Sequence, residues 1–174
     1  MKHLMIDIET LGTKSNSVIV SIGAVKFDLE TGQTGDTYYA NIDLQSSLDA
    51  GLSIDAGTLM WWMKQNDDAR YRLIEDQAKP LYNALSDLSI FIDEDSQVWG
   101  NSARFDLGLL QDAYNKIKRP IPWKFRNERC VRTLVSFAPE VKENTKFEGT
   151  AHDALDDCYH QIKYCSAIYN KLKI

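Results

Sequence analysis

Up to about residue 42 the apolar positions fall in strand-like runs, and beyond it they recur mostly at helical threes and fours. Residues 4–12, LMIDIETLG, read as a strand. Its alternation sends Leu4, Ile6 and Ile8 to one face and Met5, Asp7 and Glu9 to the other. A turn over residues 12–17 leads to a long β-branched strand at 18–27, and a hairpin loop over 28–35 leads to a third strand at 37–42. These three strands form an antiparallel meander, and the polar segment 43–54 is expected to be a loop.

Ser53 or Asp55 is placed to cap a helix that runs through Leu59, Met60, Trp61, Trp62 and Met63 to about Gln65. Residues 67–75 predict a short charged helix. Residues 79–92 predict a better amphipathic one, with Leu81, Leu85, Leu88 and Ile92 at helical spacing. A short buried strand follows at 97–100, then a helix from about 103 to 117, stopped by Pro120 and Pro122. Residues 125–131 predict a last strand, succeeded by a short helix ending near Pro139 and a loop over 141–150. From about His152 a helix runs to Lys171, with Leu155, Cys158, Ile162, Cys165, Tyr169 and Leu172 as its buried stripe. The order predicts one α/β domain over residues 1–174: a mixed five-stranded sheet, the 1-2-3 meander plus two further strands, flanked by helices.

Composition narrows the function classes. A chain of 174 residues, 44% hydrophobic and 26% charged, can bury one core and is not disordered. Met1, Lys2 and His3 pass straight into the first strand without a signal-peptide h-region, and no apolar run approaches the ~20 residues of a membrane span. A cytoplasmic protein with no membrane partner is expected. Cys130, Cys158 and Cys165 lack the paired spacing of a zinc site, and the last two, on one helix, stand roughly 10 Å apart, too far for a disulfide. The net charge of -5 argues against a broad basic surface for nucleic acid. It leaves room for a nuclease, because bound cations reverse the sign locally.

Candidate chemistry begins with Asp7 and Glu9. Two carboxylates side by side on one strand face repel, and a hard divalent cation such as Mg²⁺ would relieve them. A solvated acidic turn is the commoner outcome for a lone D-x-E. Asp106 stands near the start of a helix, where the dipole favours a structural cap as readily as a ligand. In HDALDD the helical wheel puts Asp157 at the edge of the apolar stripe and Asp156 nearly opposite it, facing water. His152 taken singly is a loop histidine, and His160, on the polar face, is given no role.

In sequence order Asp7-x-Glu9, Asn101-x-x-x-Phe105-Asp106 and His152-x-x-x-x-Asp157 resemble the three motifs of the DEDDh, or DnaQ-like, 3′-to-5′ exonucleases of ribonuclease H-like fold. The tyrosine branch would need Tyr where Asp153 stands. The compact length and the Trp61-Trp62 pair look most like the small phage DexA-like and mycobacterial exoribonuclease-like branch. The resemblance implies two divalent cations, Mg²⁺ or Mn²⁺, on Asp7, Glu9, Asp106 and Asp157, with His152 as the general base towards the attacking water. It implies that Thr10 and Leu11 grip the terminal nucleotide at the 3′ end of single-stranded DNA or RNA, beside Asn101 and Phe105. Trp61 or Trp62 could stack a base, with one expected buried and the other in the cleft. Lys124, Arg126, Arg129 and Arg132 could steer the backbone or form a solvated face. The phage-like character of the chain leans towards DNA; the alternatives are an exoribonuclease or oligoribonuclease acting on RNA and a module of the same fold that binds without cutting, and related small exonucleases admit a homodimer.

Overall fold

The alternation in residues 4–12 becomes a strand packed on both faces, β1 (His3–Thr10). Leu4, Ile6 and Ile8 enter one apolar cluster and Met5 enters the other. The computed structural model describes residues 1–73 and 77–173. β1 pairs antiparallel with β2 (Ile19–Phe27), which pairs antiparallel with β3 (Thr34–Asn41). On its other side β1 runs parallel to β4 (Gln97–Gly100), and β4 runs parallel to β5 (Glu128–Cys130). The sheet order is β3-β2-β1-β4-β5, a mixed five-stranded α/β sheet with β1 at its centre.

Helices cover both faces. α1 (Leu44–Asp49), α2 (Ala56–Trp62), α3 (Asp67–Leu73) and α4 (Leu81–Phe91) follow the meander, and α5 (Asp106–Lys116) follows β4. Trp62 of α2, Leu81, Leu85 and Leu88 of α4 and Leu107 and Leu110 of α5 pack with the Leu4, Ile6 and Ile8 face. After β5 come α6 (Val131–Val135), α7 (Pro139–Asn144) and α8 (Ala154–Leu172). Val131, Cys158, Ile162, Tyr164, Cys165 and Ile168 pack with Met5, Val25, Phe27 and Trp99 on the opposite face. Both helix cysteines are buried and free.

Several elements depart from the periodicity reading. α1 lies within the expected loop 43–54: Asp43 accepts from the Ser46 N–H and caps a helix too short for its period to register. Asp55 is the cap of α2, accepting from the Thr58 N–H at 2.8 Å. The expected end of the next helix at Glu75 lies outside the described residues. The strand predicted over 125–131 splits into a 3-10 turn, Phe125–Asn127, and the short β5. Pro139 starts α7 rather than ending a helix, because its missing N–H costs nothing at a first helical position.

α8 begins at Ala154, not His152, because Asp153 caps it by accepting from the N–H groups of Leu155 and Asp156. Its buried face also drifts away from the predicted stripe. Leu172 is 42% exposed, whereas Gln161, Tyr164 and Ile168 are buried. Strict threes and fours average 3.5 residues per turn, and a straight helix of 3.6 walks off that line by about 20° per heptad.

Candidate active site

Two small residues let the pieces of the site approach. A Cβ on Gly23 of β2 would stand 2.5 Å from the carbonyl of Ala154, so only glycine lets the first turn of α8 lie directly on the sheet. A Cβ on Gly100, the last residue of β4, would meet Asp106 at 3.0 Å. With β1 and β4 parallel, their carboxyl ends open on the same side, where open α/β sheets place their ligands. Asp7 and Glu9 come from that end of β1, Asp106 from the first residue of α5, and Asp157 from the first turn of α8. They line one cavity of about 250 Å³ together with Asn101, Phe105, His152 and Gln161.

The electrostatics of this cavity are strained in one direction. Asp7 is buried, and desolvation, followed by the charges of Asp106 and Asp157, holds its carboxyl well above the ordinary range. Glu9 is raised too, by burial first and then by Asp7 and Asp157. Burial pushes Asp106 up to about 6 although the Ser102 N–H donates to it at 3.0 Å. Asp157 is likewise raised to about 6 by burial, against the donation of the His152 N–H at 3.0 Å. Arg132, on α6, is the cation among the residues that line the same cavity. The donors are hard carboxylate oxygens with unrelieved repulsion, which fits a divalent cation of the Mg²⁺ type. One oxygen of Glu9, one of Asp157 and a ring nitrogen of His152 lie within 4.8 Å of one another, close enough to share an ion.

His152 sits in the turn before α8 with a left-handed backbone, φ 65°. Its ring meets Trp61 edge-on at 5.0 Å and Trp62 at 5.9 Å. The two tryptophans divide sharply. Trp62 is 3% exposed and donates its indole N–H to the Thr10 carbonyl at 2.8 Å, tying α2 to the end of β1. Trp61 is 42% exposed and lines a neighbouring cavity of about 460 Å³ with Glu9, Thr10 and Phe105. Thr10 gives its hydroxyl to the Gly12 carbonyl at 2.7 Å. Leu11 lines a third, largely apolar cavity with Val20, Ile42 and Trp62, apart from the carboxylates.

Gln161 is the residue that sequence reading missed. Buried on α8 one turn after Asp157, it donates its amide to Asp7 Oδ1 at 2.7 Å. Its position on the same helical face as Asp157 was the available signal. Of the basic stretch, Arg132 reaches the cavity, whereas Lys124 pairs with Glu94 and Asp95 at 3.2 and 2.8 Å. Arg129 donates to the carbonyls of Arg126 and Glu128. Asp156, expected to face water, is half-buried and accepts from the Thr150 N–H. His160 is half-buried too, between Phe147 and Tyr164.

A family described as the 3′-5′ exoribonuclease Rv2179c-like domain matches residues 2–169. The chain belongs to this family. The exodeoxyribonuclease of Enterobacteria phage T4 is 25% identical over 197 residues, 93% of this chain and 86% of the relative. The zinc-bound complex of Escherichia coli exonuclease I with single-stranded DNA superposes with a TM-score of 0.71 at 17% identity over 98% of this chain. Its complex with a dA16 oligonucleotide gives the same TM-score and identity. That likeness shows a shared fold, and the chain spans 40% of the length of exonuclease I in the zinc-bound complex. Among the described residues no helix is long and apolar enough to cross a membrane.

Proposed function

We propose that the chain is a DEDDh enzyme that hydrolyses phosphodiester bonds stepwise from the 3′ end of single-stranded nucleic acid, releasing nucleoside monophosphates. The observation that carries this reading is the meeting of four carboxylates and one imidazole in a single cavity at the carboxyl ends of two parallel strands. Asp7, Glu9, Asp106 and Asp157 would hold two divalent ions, Mg²⁺ or Mn²⁺. Such ions, when bound, neutralise the phosphate and acidify a water. Gln161 fixes the rotamer of Asp7 through their hydrogen bond. A nitrogen of His152 takes one proton from the water whose oxygen attacks phosphorus, and the bond from phosphorus to the upstream 3′ oxygen breaks. Arg132 faces the phosphate with the opposite charge. Trp61, Phe105 and Thr10 wall the adjoining cavity, which suits the terminal base, while Asn101 lines the carboxylate cavity beside it. Leu11, in the apolar cavity that shares Trp62 with this one, is given no direct contact with the base.

DNA is the proposed preference, supported by likeness to the phage exodeoxyribonuclease and by the single-stranded DNA held in the exonuclease I complexes. The family's own description favours RNA as the second reading. Matched 5′-labelled DNA and RNA oligonucleotides with Mg²⁺ or Mn²⁺ test both. A ladder of shortened products, faster on DNA and absent with Asp7→Ala, is expected. Faster loss of RNA reverses the substrate preference. No ladder on either, with binding retained, would leave a nucleic-acid-binding module.

A further inference from the structure

The turn that carries His152 is clamped from outside the cavity by residues to which the proposed reaction gives no part. We infer that Asp156 is a positioning residue for His152, acting through the backbone of residues 149–150. The inference rests on His152 being the base.

Asp156 Oδ2 accepts from the Thr150 N–H at 2.8 Å. Its carboxylate also fills the space that a side chain at residue 149 would need: a Cβ there would stand 2.5 Å from Oδ2 and 2.6 Å from Cγ. Gly149 has φ +109°, a conformation that side chains rarely adopt. Backbone and carboxylate thus interlock, and either partner's change disturbs the other. The same outer stripe of α8 holds the preceding residues. His160 packs its ring on Phe147 at 4.9 Å, and Lys163 pairs with Glu148. Asp156, His160 and Lys163 fall at i, i+4 and i+7, so one helical face seats residues 147–150.

From that seat the chain turns inward. The Asp153 N–H donates to the Thr150 carbonyl at 3.2 Å, and the His152 N–H donates to Asp157 Oδ2 at 3.0 Å. His152 thereby keeps φ 65°, a strained conformation for a non-glycine residue that persists only where the surroundings over-determine it. The two adjacent aspartates divide the task. Asp157 holds the His152 N–H directly, and Asp156 fixes the backbone two residues upstream.

Steady-state kinetics on an oligonucleotide in Mg²⁺ test this, with wild type, D156A, D156N, G149A and H152A compared. D156A is expected to lower kcat by on the order of tenfold or more, the scale of a catalytic group misplaced by a fraction of an ångström, with KM within about twofold. D156N keeps an acceptor oxygen for the Thr150 N–H while losing the charge, and is expected to recover most of kcat. G149A is expected to reproduce the D156A defect, and it also serves if D156A fails to fold. A wild-type kcat in D156A, or equal defects in D156N and D156A, overturns the positioning role while H152A remains inactive. Full activity in H152A would instead overturn the base assignment on which the inference rests.

Discussion

Asp7 illustrates how a buried charge becomes useful. Its carboxyl is surrounded by other acids and accepts from Gln161, so its ionised form is disfavoured, and a bound cation would relieve it. Replacing Asp7 by Ala is expected to abolish activity while leaving circular dichroism unchanged. Gln161→Leu removes the hydrogen bond but leaves Asp7, the proposed ligand, in place, and is expected to cost about 10- to 100-fold in activity or metal affinity, as lost partners of metal ligands do. Titrating Mg²⁺ against activity separates those two effects. Asp106 lends itself to the opposite test. Its rise from 3.8 to about 6 means that ionising it in the metal-free fold costs up to about 3 kcal/mol above pH 6. Asp106→Asn is therefore expected to raise the melting temperature of the metal-free protein at pH 7.5 while removing activity, and thermal denaturation in a chelator reads the sign.

At the scale of elements, the first turn of α8 is held against β2 by the absence of a side chain at Gly23. Cys158, small and buried, continues that close approach, with its sulfur 3.5 Å from the Gly23 carbonyl and 3.7 Å from that of Met5. Gly23→Ala is expected to push the helix start outward, destabilising the fold by about 1–3 kcal/mol, the usual penalty for overpacking. Activity is expected to fall further than stability predicts, because His152 and Asp157 ride on the displaced turn. Urea melts and the oligonucleotide assay, run on one preparation, check both parts. α2 plays the matching part on the other side of the site, since Trp62 binds the Thr10 carbonyl and leaves Trp61 beside His152.

For the whole molecule, the raised carboxyls set how stability depends on pH. Asp106 and Asp157 bind protons more tightly in the fold than at their ordinary 3.8, so the stability they lend is present below about pH 4 and lost as pH rises through about 6. The metal-free protein is expected to lose stability across that window, more steeply than Asp106→Asn, and Mg²⁺ at 100 times its dissociation constant is expected to return about 2.7 kcal/mol for each ion bound above pH 6. Calorimetry from pH 4 to 8, with and without Mg²⁺, checks the slope and its reversal. The sequence by itself determined the meander, the first strand with Asp7 and Glu9 on one face, and the order of the acidic motifs, because periodicity and local spacing encode those directly. It also favoured Asp157 over Asp156, from the wheel of a single helix. Tertiary structure alone decided which tryptophan is buried, that Gln161 holds Asp7, that Leu11 lies apart from the carboxylates, and that Asp156 grips the turn before its own helix. The first three depend on how elements distant in sequence approach one another and the last on how a turn folds back on the helix after it, and a one-dimensional pattern carries no measure of either approach.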